Sequence, residues 1–325
     1  MKLRWGMLWI AVRLLAQPPP DFQVDVNLVR IPAVVRDANG APVRGLRREE
    51  FIVREDGIQQ EVKYAWQESD LALTVGLIAD VSGSEYKFVV QHRQTVLQFL
   101  SHILSQNDRA FLVSVEQQQR LLGDSTHSIE SLYDATERLG TQEAEILGDP
   151  CLGHRQWALM YNLGCGGTAL WNGVFFSAKL KLRSQSGRKA MLLLTDGWDT
   201  GSDHGLADAI EASQSADAIV YAIRYVDPEW QTMPKSWAVN SVMHDLERGK
   251  RNLDRITRET GGLAFEGASD TLPEVFDRIE ADLRSQYVLA YTVPKPARGR
   301  RHRKIEVQVT RPGLKVRARE GYYIR

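Results

Sequence analysis

The chain has 325 residues, with 41 Lys or Arg against 41 Asp or Glu, so its formal net charge is zero. Hydrophobic residues make up 43% and charged residues 25%, the balance of an ordinary globular protein with length for about two domains. This excludes a mostly disordered, collagenous or coiled-coil chain and one drawn to nucleic acid by bulk charge, and two cysteines are too few for a disulfide scaffold or a Cys-rich metal site.

Lys2 and Arg4 precede a mostly apolar run from Trp5 to Ala16, followed by Gln17 and three prolines. A charged start, an apolar centre and a small residue near its end describe a secretory signal over residues 1–20, although Arg13 interrupts the run. A frayed terminus or a mis-assigned start is the alternative. The run is too short to stay in a bilayer as a spanning helix, and no other stretch reaches ~18 apolar residues. The expectation is a secreted, periplasmic or cell-surface protein with no transmembrane span after signal removal. In such an oxidising compartment Cys151 and Cys165 would be able to form a disulfide; in the cytosol they would be two ordinary thiols.

Residues 21–69 alternate as strands do, through Phe22, Val24, Val26, Leu28 and Ile31, then Ala33 to Val35. Asp37-Ala-Asn-Gly40 and Asp56-Gly57 supply turns between these runs, and Phe51, Val53 and Glu61 to Trp66 continue the pattern.

The middle, residues 70–286, alternates strand with helix. Leu71 to Ala79 is an apolar run ending in Asp80, as a buried parallel strand would be. A helix is expected over Tyr86 to Leu104, a strand over Ala110 to Val115, and helices over Ile129 to Leu139 and Ala169 to Leu182. Ala190 to Leu194 is a second strand ending in acid, at Thr195-Asp196-Gly197. Beyond it come a helix (Leu206 to Ala216), a strand (Ala218 to Tyr225) and a helix (Leu253 to Thr260) closed by Gly261-Gly262. A short strand (Leu263 to Phe265) and a last helix (Leu272 to Leu283) complete the segment. This order predicts an α/β fold: a doubly wound, mostly parallel sheet of Rossmann-like type. Residues 141–166 and 227–249 are long insertions near the strand carboxyl ends. Trp157, Tyr161, Trp230 and Trp237 on them would either rim a site there or pack on the body.

Residues 287–325 return to strand alternation at Tyr287 to Val293, Ile305 to Thr310 and Leu314 to Ala318. Each end alone has too few strands for a stable two-layer structure. The two ends are therefore expected to pair into one small β-sandwich-like domain with the α/β segment inserted in it; separate β appendages are the alternative.

Acids at the ends of buried parallel strands face the crevice where ligands bind in such sheets. After the first strand the chain reads Asp80-Val-Ser82-Gly-Ser84, after the later one Thr195-Asp196-Gly197, and Gly166-Gly167-Thr168 opens a helix between them. Every donor offered by Asp80, Ser82, Ser84, Thr168 and Asp196 is oxygen, which suits Mg²⁺, Mn²⁺ or Ca²⁺ rather than zinc. Two carboxylates roughly neutralise a divalent ion and leave it attractive to a third. Singly, each of these residues would be an ordinary turn former.

Together Asp80-Val-Ser82-Gly-Ser84, Thr168 and Asp196-Gly197 resemble the metal-ion-dependent adhesion site (MIDAS) of von Willebrand factor type A domains, across about residues 70–286. The flanking Asp37-Ala-Asn-Gly40-Ala-Pro-Val43-Arg-Gly-Leu46, Phe51, Glu55-Asp-Gly57 and Gly321-Tyr-Tyr323 look like the VWFA-related domain found in Acidobacteria. The resemblance implies that Ser82, Ser84 and Thr168 give hydroxyl oxygens to Mg²⁺, Thr168 directly or through water, and that Asp80 and Asp196 coordinate mostly through water. It implies an open position that accepts Asp or Glu from a partner protein, hence an adhesion-type binding module and no enzyme. A purely structural ion, a vestigial site and a metal-dependent hydrolase are the competing readings, the last without a visible general base.

Asp199 and Asp203 follow Asp196 without EF-hand spacing and read as a solvated acidic loop. From Lys295 onward eleven Lys or Arg face two Glu, and Arg298, Arg300, Arg301, Arg303 and Lys304 cluster in an expected hairpin. That cluster would suit an anionic envelope polymer, which makes a structural cell-envelope protein the alternative function, or would be a solvated loop. It lacks stacking aromatics, so no specific nucleic acid is expected.

Overall fold

A computed structural model describes residues 27–67, 71–140, 167–267, 271–293 and 302–323. The signal expected at 1–20, Cys151 and Cys165, and Arg298, Arg300 and Arg301 lie outside the described residues.

The described residues begin with four strands: β1 (Asn27–Arg36), β2 (Phe51–Glu55), β3 (Ile58–Gln60) and β4 (Tyr64–Gln67). Asp56 and Gly57, both with positive φ (49° and 85°), make the tight turn between β2 and β3, whose backbone twist matches that of paired strands. Next come β5 (Leu73–Asp80), α1 (Val89–Ile103), β6 (Arg109–Val115), β7 (Gln119–Thr126) and α2 (Ile129–Glu137). After the insertion at 141–166 follow α3 (Leu170–Phe176), which continues into a wider turn over Ser177–Leu182, then β8 (Arg188–Thr195), α4 (Leu206–Ser215) and β9 (Ala218–Arg224). The one-turn α5 (Glu229–Thr232), α6 (Trp237–Thr260), β10 (Ala264–Glu266) and α7 (Leu272–Arg284) end the α/β part. Strands β11 (Tyr287–Val293), β12 (His302–Val309), β13 (Lys315–Ala318) and β14 (Gly321–Tyr323) complete the described chain.

The strands form three sheets. The central one has the order β10-β9-β8-β5-β6-β7, parallel except for β7 at the edge. All eight residues of β5 and of β8 are buried, because helices cover both faces. Val96, Phe99 and Leu100 of α1 pack on one face with Phe276, Ile279 and Leu283 of α7. Leu170 and Val174 of α3, Ile210 of α4, and Leu253 and Ile256 of α6 pack on the other.

The two chain ends build the other two sheets, β13-β1-β11-β4 and β14-β12-β2-β3, each mixing strands from both termini. Their inner faces share one core containing Ile31, Val35, Phe51, Val53, Leu289, Tyr291 and Ile305. Within it Tyr291 and Tyr322 both donate their hydroxyls to Glu55 Oε2, at 2.6 and 3.0 Å. The expected sandwich built from both ends is thus present, and it acts as a frame around the α/β insert. Val34, on the opposite face of β1 from Ile31 and Val35, is buried as well. Arg319 reaches from the frame into the insert, donating to the Gln214 carbonyl at 3.1 Å and Asp217 Oδ1 at 3.2 Å.

Besides the short β3, α5 and β14, strand β7 and helix α6 depart from the sequence expectation. Strand β7 was not foreseen, because an edge strand carrying Gln119, Arg120, Asp124 and Ser125 lacks the apolar run of a central one. Helix α6 starts at Trp237 rather than Leu253, and so absorbs much of the supposed 227–249 insertion. Its first turns have few buried apolar residues, but Ser236 caps them, its hydroxyl accepting the Val239 amide at 3.2 Å.

Candidate metal centre

β5 and β8 are neighbours, with Ala79 opposite Leu194. Successive strands run outward from this pair in opposite directions, β6 beside β5 and β9 beside β8, so the carboxyl ends of β5 and β8 flank the switch point of the sheet. That arrangement delivers Asp80 and Asp196 to one place. Asp80 is fully buried; its Oδ1 accepts the Ser82 amide at 3.0 Å and its Oδ2 the Thr195 hydroxyl at 2.7 Å. Thr195 Oγ1 in turn accepts the Gly197 amide at 3.0 Å, and Asp196 Oδ1 accepts the Trp198 amide at 2.8 Å. The Ser84 hydroxyl also bonds the Asp196 carboxylate. Each acid thus accepts an amide from its own loop and a hydroxyl from the other strand end, Asp80 from Thr195 and Asp196 from Ser84, with lone pairs to spare.

Thr168 arrives on a third loop, just before α3. Its amide donates to Thr200 Oγ1 at 3.1 Å, and its carbonyl accepts the Thr200 and Gly201 amides at 3.1 and 3.0 Å. The same Asp196–Ser202 loop caps α3: Asp199 Oδ1 accepts the Trp171 amide at 3.2 Å, and Ser202 Oγ accepts the Asn172 amide at 3.0 Å. Asp199, expected to be a solvated acid, is instead a partly buried brace whose carboxyl is raised by that burial. The loop after β8 thus supplies Asp196 and also fixes the loop carrying Thr168.

Burial pushes both Asp80 and Asp196 above the ordinary carboxylate range; the Asp196 charge raises Asp80 further, while the Trp198 amide and Ser84 hydroxyl hold Asp196 back. Two buried carboxylates side by side form a centre that a cation would relieve. Ser82 Oγ is buried against the Asp80 carboxylate, whose pKa its hydroxyl lowers, and meets no partner in good hydrogen-bond geometry. Among the described residues no three His, Cys, Asp or Glu side chains gather closely enough to hold an ion by themselves. Any ion here must use hydroxyls alongside Asp80 and Asp196, a donor set that fits a hard divalent cation.

Three further residues belong to the surroundings, and the sequence reading missed them. Glu85, directly after Ser84, and His92, on the first turn of α1, are buried against each other; burial raises the Glu85 carboxyl well above its ordinary value and lowers His92 to about 4. Gly249, midway along α6, lies so close to the Asp196–Gly197 backbone that a Cβ there would stand 2.6 Å from the Asp196 carbonyl oxygen. A lone glycine inside a helix is the one sequence signal that pointed to such an approach.

Of the basic cluster, Arg303 and Lys304 are described, and both sit on β12 with acidic partners. Arg303 meets Asp56 at 2.8 Å and Lys304 meets Glu306 at 2.7 Å.

No family model matches the sequence, and no curated protein matches it. Solved structures similar to the chain include BatB from Bacteroides thetaiotaomicron, at 11% identity and a TM-score of 0.45, covering 65% of this chain and 98% of that one. Proximal thread matrix protein 1 from the mussel byssus, described with a zinc-occupied MIDAS motif, is similar at 11% identity and a TM-score of 0.46, over 71% of this chain and half of that one. A von Willebrand factor type A protein from Catenulispora acidiphila is similar at 13% identity and a TM-score of 0.43, over 93% of this chain and 75% of that one. The structural neighbours of the chain thus include von Willebrand factor type A proteins.

Proposed function

We propose that this chain is an exported binding module that captures an acidic residue of a partner protein through a divalent cation, Mg²⁺ in the native state and Mn²⁺ or Ca²⁺ as substitutes. Ser82, Ser84 and Thr168 would hold the ion by their hydroxyls, with Asp80 and Asp196 balancing its charge, and the ion would supply an electrophilic position for a partner's Asp or Glu. The observation that carries this reading is the pair of buried carboxylates, Asp80 and Asp196, at the switch point of the sheet, with the Ser82 hydroxyl buried against Asp80. Two buried carboxylates side by side repel each other unless a cation joins them, and hydroxyls beside carboxylates suit a hard one. Export rests on the reading of residues 1–20. Among the described residues no helix is long and apolar enough to cross a membrane.

Thermal unfolding in Mg²⁺, Mn²⁺, Ca²⁺ and EDTA tests the ion. An ion bound only by the folded state stabilises it by about 2.7 kcal/mol at a concentration 100 times its Kd. The upward shift should appear in the wild type and vanish in Asp80→Ala. A wild type indifferent to all three ions at ~10 mM would defeat the reading. Ion-dependent retention of the protein on a carboxylate-presenting peptide surface, lost on chelation, tests the partner chemistry.

A further inference from the structure

Asp80, Ser82 and Ser84 of the candidate centre lie on one short stretch at the end of β5, and something must hold that stretch in shape while the Asp80 and Asp196 carboxylates repel. The Asp80 carbonyl, at the end of β5, faces His92 Nδ1 at 2.9 Å. A carbonyl only accepts, so Nδ1 carries the hydrogen. The neutral ring then leaves Nε2 bare, and Nε2 faces Glu85 Oε2 at 3.1 Å. Neither of those two atoms has another partner, and both side chains are at most 1% exposed. One hydrogen between them satisfies both. The backbone closes the figure: the Glu85 amide donates to the Ser82 carbonyl at 3.0 Å and the Phe88 amide to the Glu85 carbonyl at 2.8 Å. The loop therefore leaves Asp80, passes Ser82 and Ser84, and is tied back to Asp80 by way of Glu85 and His92. Tyr225 fixes the imidazole from the side, edge to face at 4.6 Å, and is itself held by Thr95 at 2.7 Å.

We propose that Glu85 and His92 are a positioning pair for the ion, acting through the Asp80 main chain to hold the Ser82 and Ser84 hydroxyls at the spacing the cation requires, and that Glu85 does not itself coordinate. The inference rests on the ion site proposed above. Groups that orient metal ligands in this way typically change affinity 10–100-fold when removed.

Mn²⁺ affinity of the full chain, read from loss of the free-ion electron paramagnetic resonance signal, tests the pair in wild type, Glu85→Gln, Glu85→Leu and His92→Leu, with unfolding in EDTA measured beside it. A glutamine amide can donate to Nε2 as the acid does, so Glu85→Gln should bind within about threefold of wild type while both leucine variants weaken at least about tenfold. If Glu85→Gln weakens as much as Glu85→Leu, the carboxylate serves the ion directly and the proposal falls. It also falls if folded leucine variants bind like wild type, which would make the pair mere packing. Should a leucine variant fail to fold, Glu85→Gln still decides, retained affinity supporting the pair and a tenfold loss overturning it. A wild type that binds no Mn²⁺ overturns the ion site and this inference together, whereas the other negative results leave the ion site standing.

Discussion

Asp282, fully buried on α7, carries one guanidinium on each carboxylate oxygen: Arg36 of β1 on Oδ1 and Arg317 of β13 on Oδ2. Arg317 also donates to the Gly261 carbonyl at 2.9 Å, and Arg36 to the Arg278 carbonyl at 3.3 Å. Both arginines come from the frame and the acid from the insert, so the two parts share one charge cluster.

Removing one partner of such a buried cluster leaves uncompensated charge and typically costs about 3–5 kcal/mol. Asp282→Leu should lose stability of this order in urea denaturation, the midpoint moving while the slope stays constant. A loss below about 1 kcal/mol would show that the neighbouring carbonyls suffice for the two arginines.

The ion-free protein should be less stable at neutral than at acid pH on account of its centre. Asp80 and Asp196 have folded values raised above the ordinary 3.8, so folding favours their protonated forms. Their contribution is fully present below 3.8 and is lost as pH rises through the raised values. A cation needs the deprotonated acids, so its stabilisation grows over the same interval. The melting-temperature difference between Mg²⁺ and EDTA should be larger at pH ~7.5 than at pH ~5. Asp80→Asn should flatten that dependence.

At Gly249 any side chain collides with backbone, the Asp196 carbonyl and Gly197, rather than with a flexible neighbour. Gly249→Val should cost about 1–3 kcal/mol as an overpacked contact and displace the Asp196 loop. Calorimetric titration should show weakened Mn²⁺ binding in this variant. Unchanged affinity would mean that α6 yields instead of the loop.

Asp199→Ala removes the acceptor of the Trp171 amide and of the Ser202 hydroxyl. The cost expected for a lost cap is about 0.5–2 kcal/mol. Because the same loop holds Thr168 through Thr200 and Gly201, Mn²⁺ affinity should fall with stability. Asp203→Ala, with no such amide among the described bonds, is the control.

The candidate centre was legible because each part announces itself locally: two apolar strand-length runs ending in acid, hydroxyls at alternate positions, and a Gly-Gly-Thr entry to a helix. The frame was legible from alternation at both ends and from the shortage of strands in either. What stayed hidden depends on distant partners. Glu85 reads as a turn residue and His92 as one polar position in a helix until folding sets them 3.1 Å apart. Asp199 reads as solvated until its loop reaches α3. The first half of α6 is polar enough to pass for a loop, and only Ser236 and Gly249 mark its cap and its closest approach.

The frame also imposes an order on synthesis. Glu55 meets Tyr291, 236 positions later in the chain, and β1 pairs with β11 and β13 from the far end. A ribosome releases β1 and β4 long before their partners exist, and β2, paired with β3, long before β12, while the insert's strands and helices emerge with most of their neighbours close behind. Non-local pairing is also the slow kind. Nascent chains halted after α7 should therefore already contain the compact α/β body, with β1 and β4 unpaired and the β2–β3 hairpin awaiting β12. Closing the frame then waits until β11 to β14 have left the tunnel.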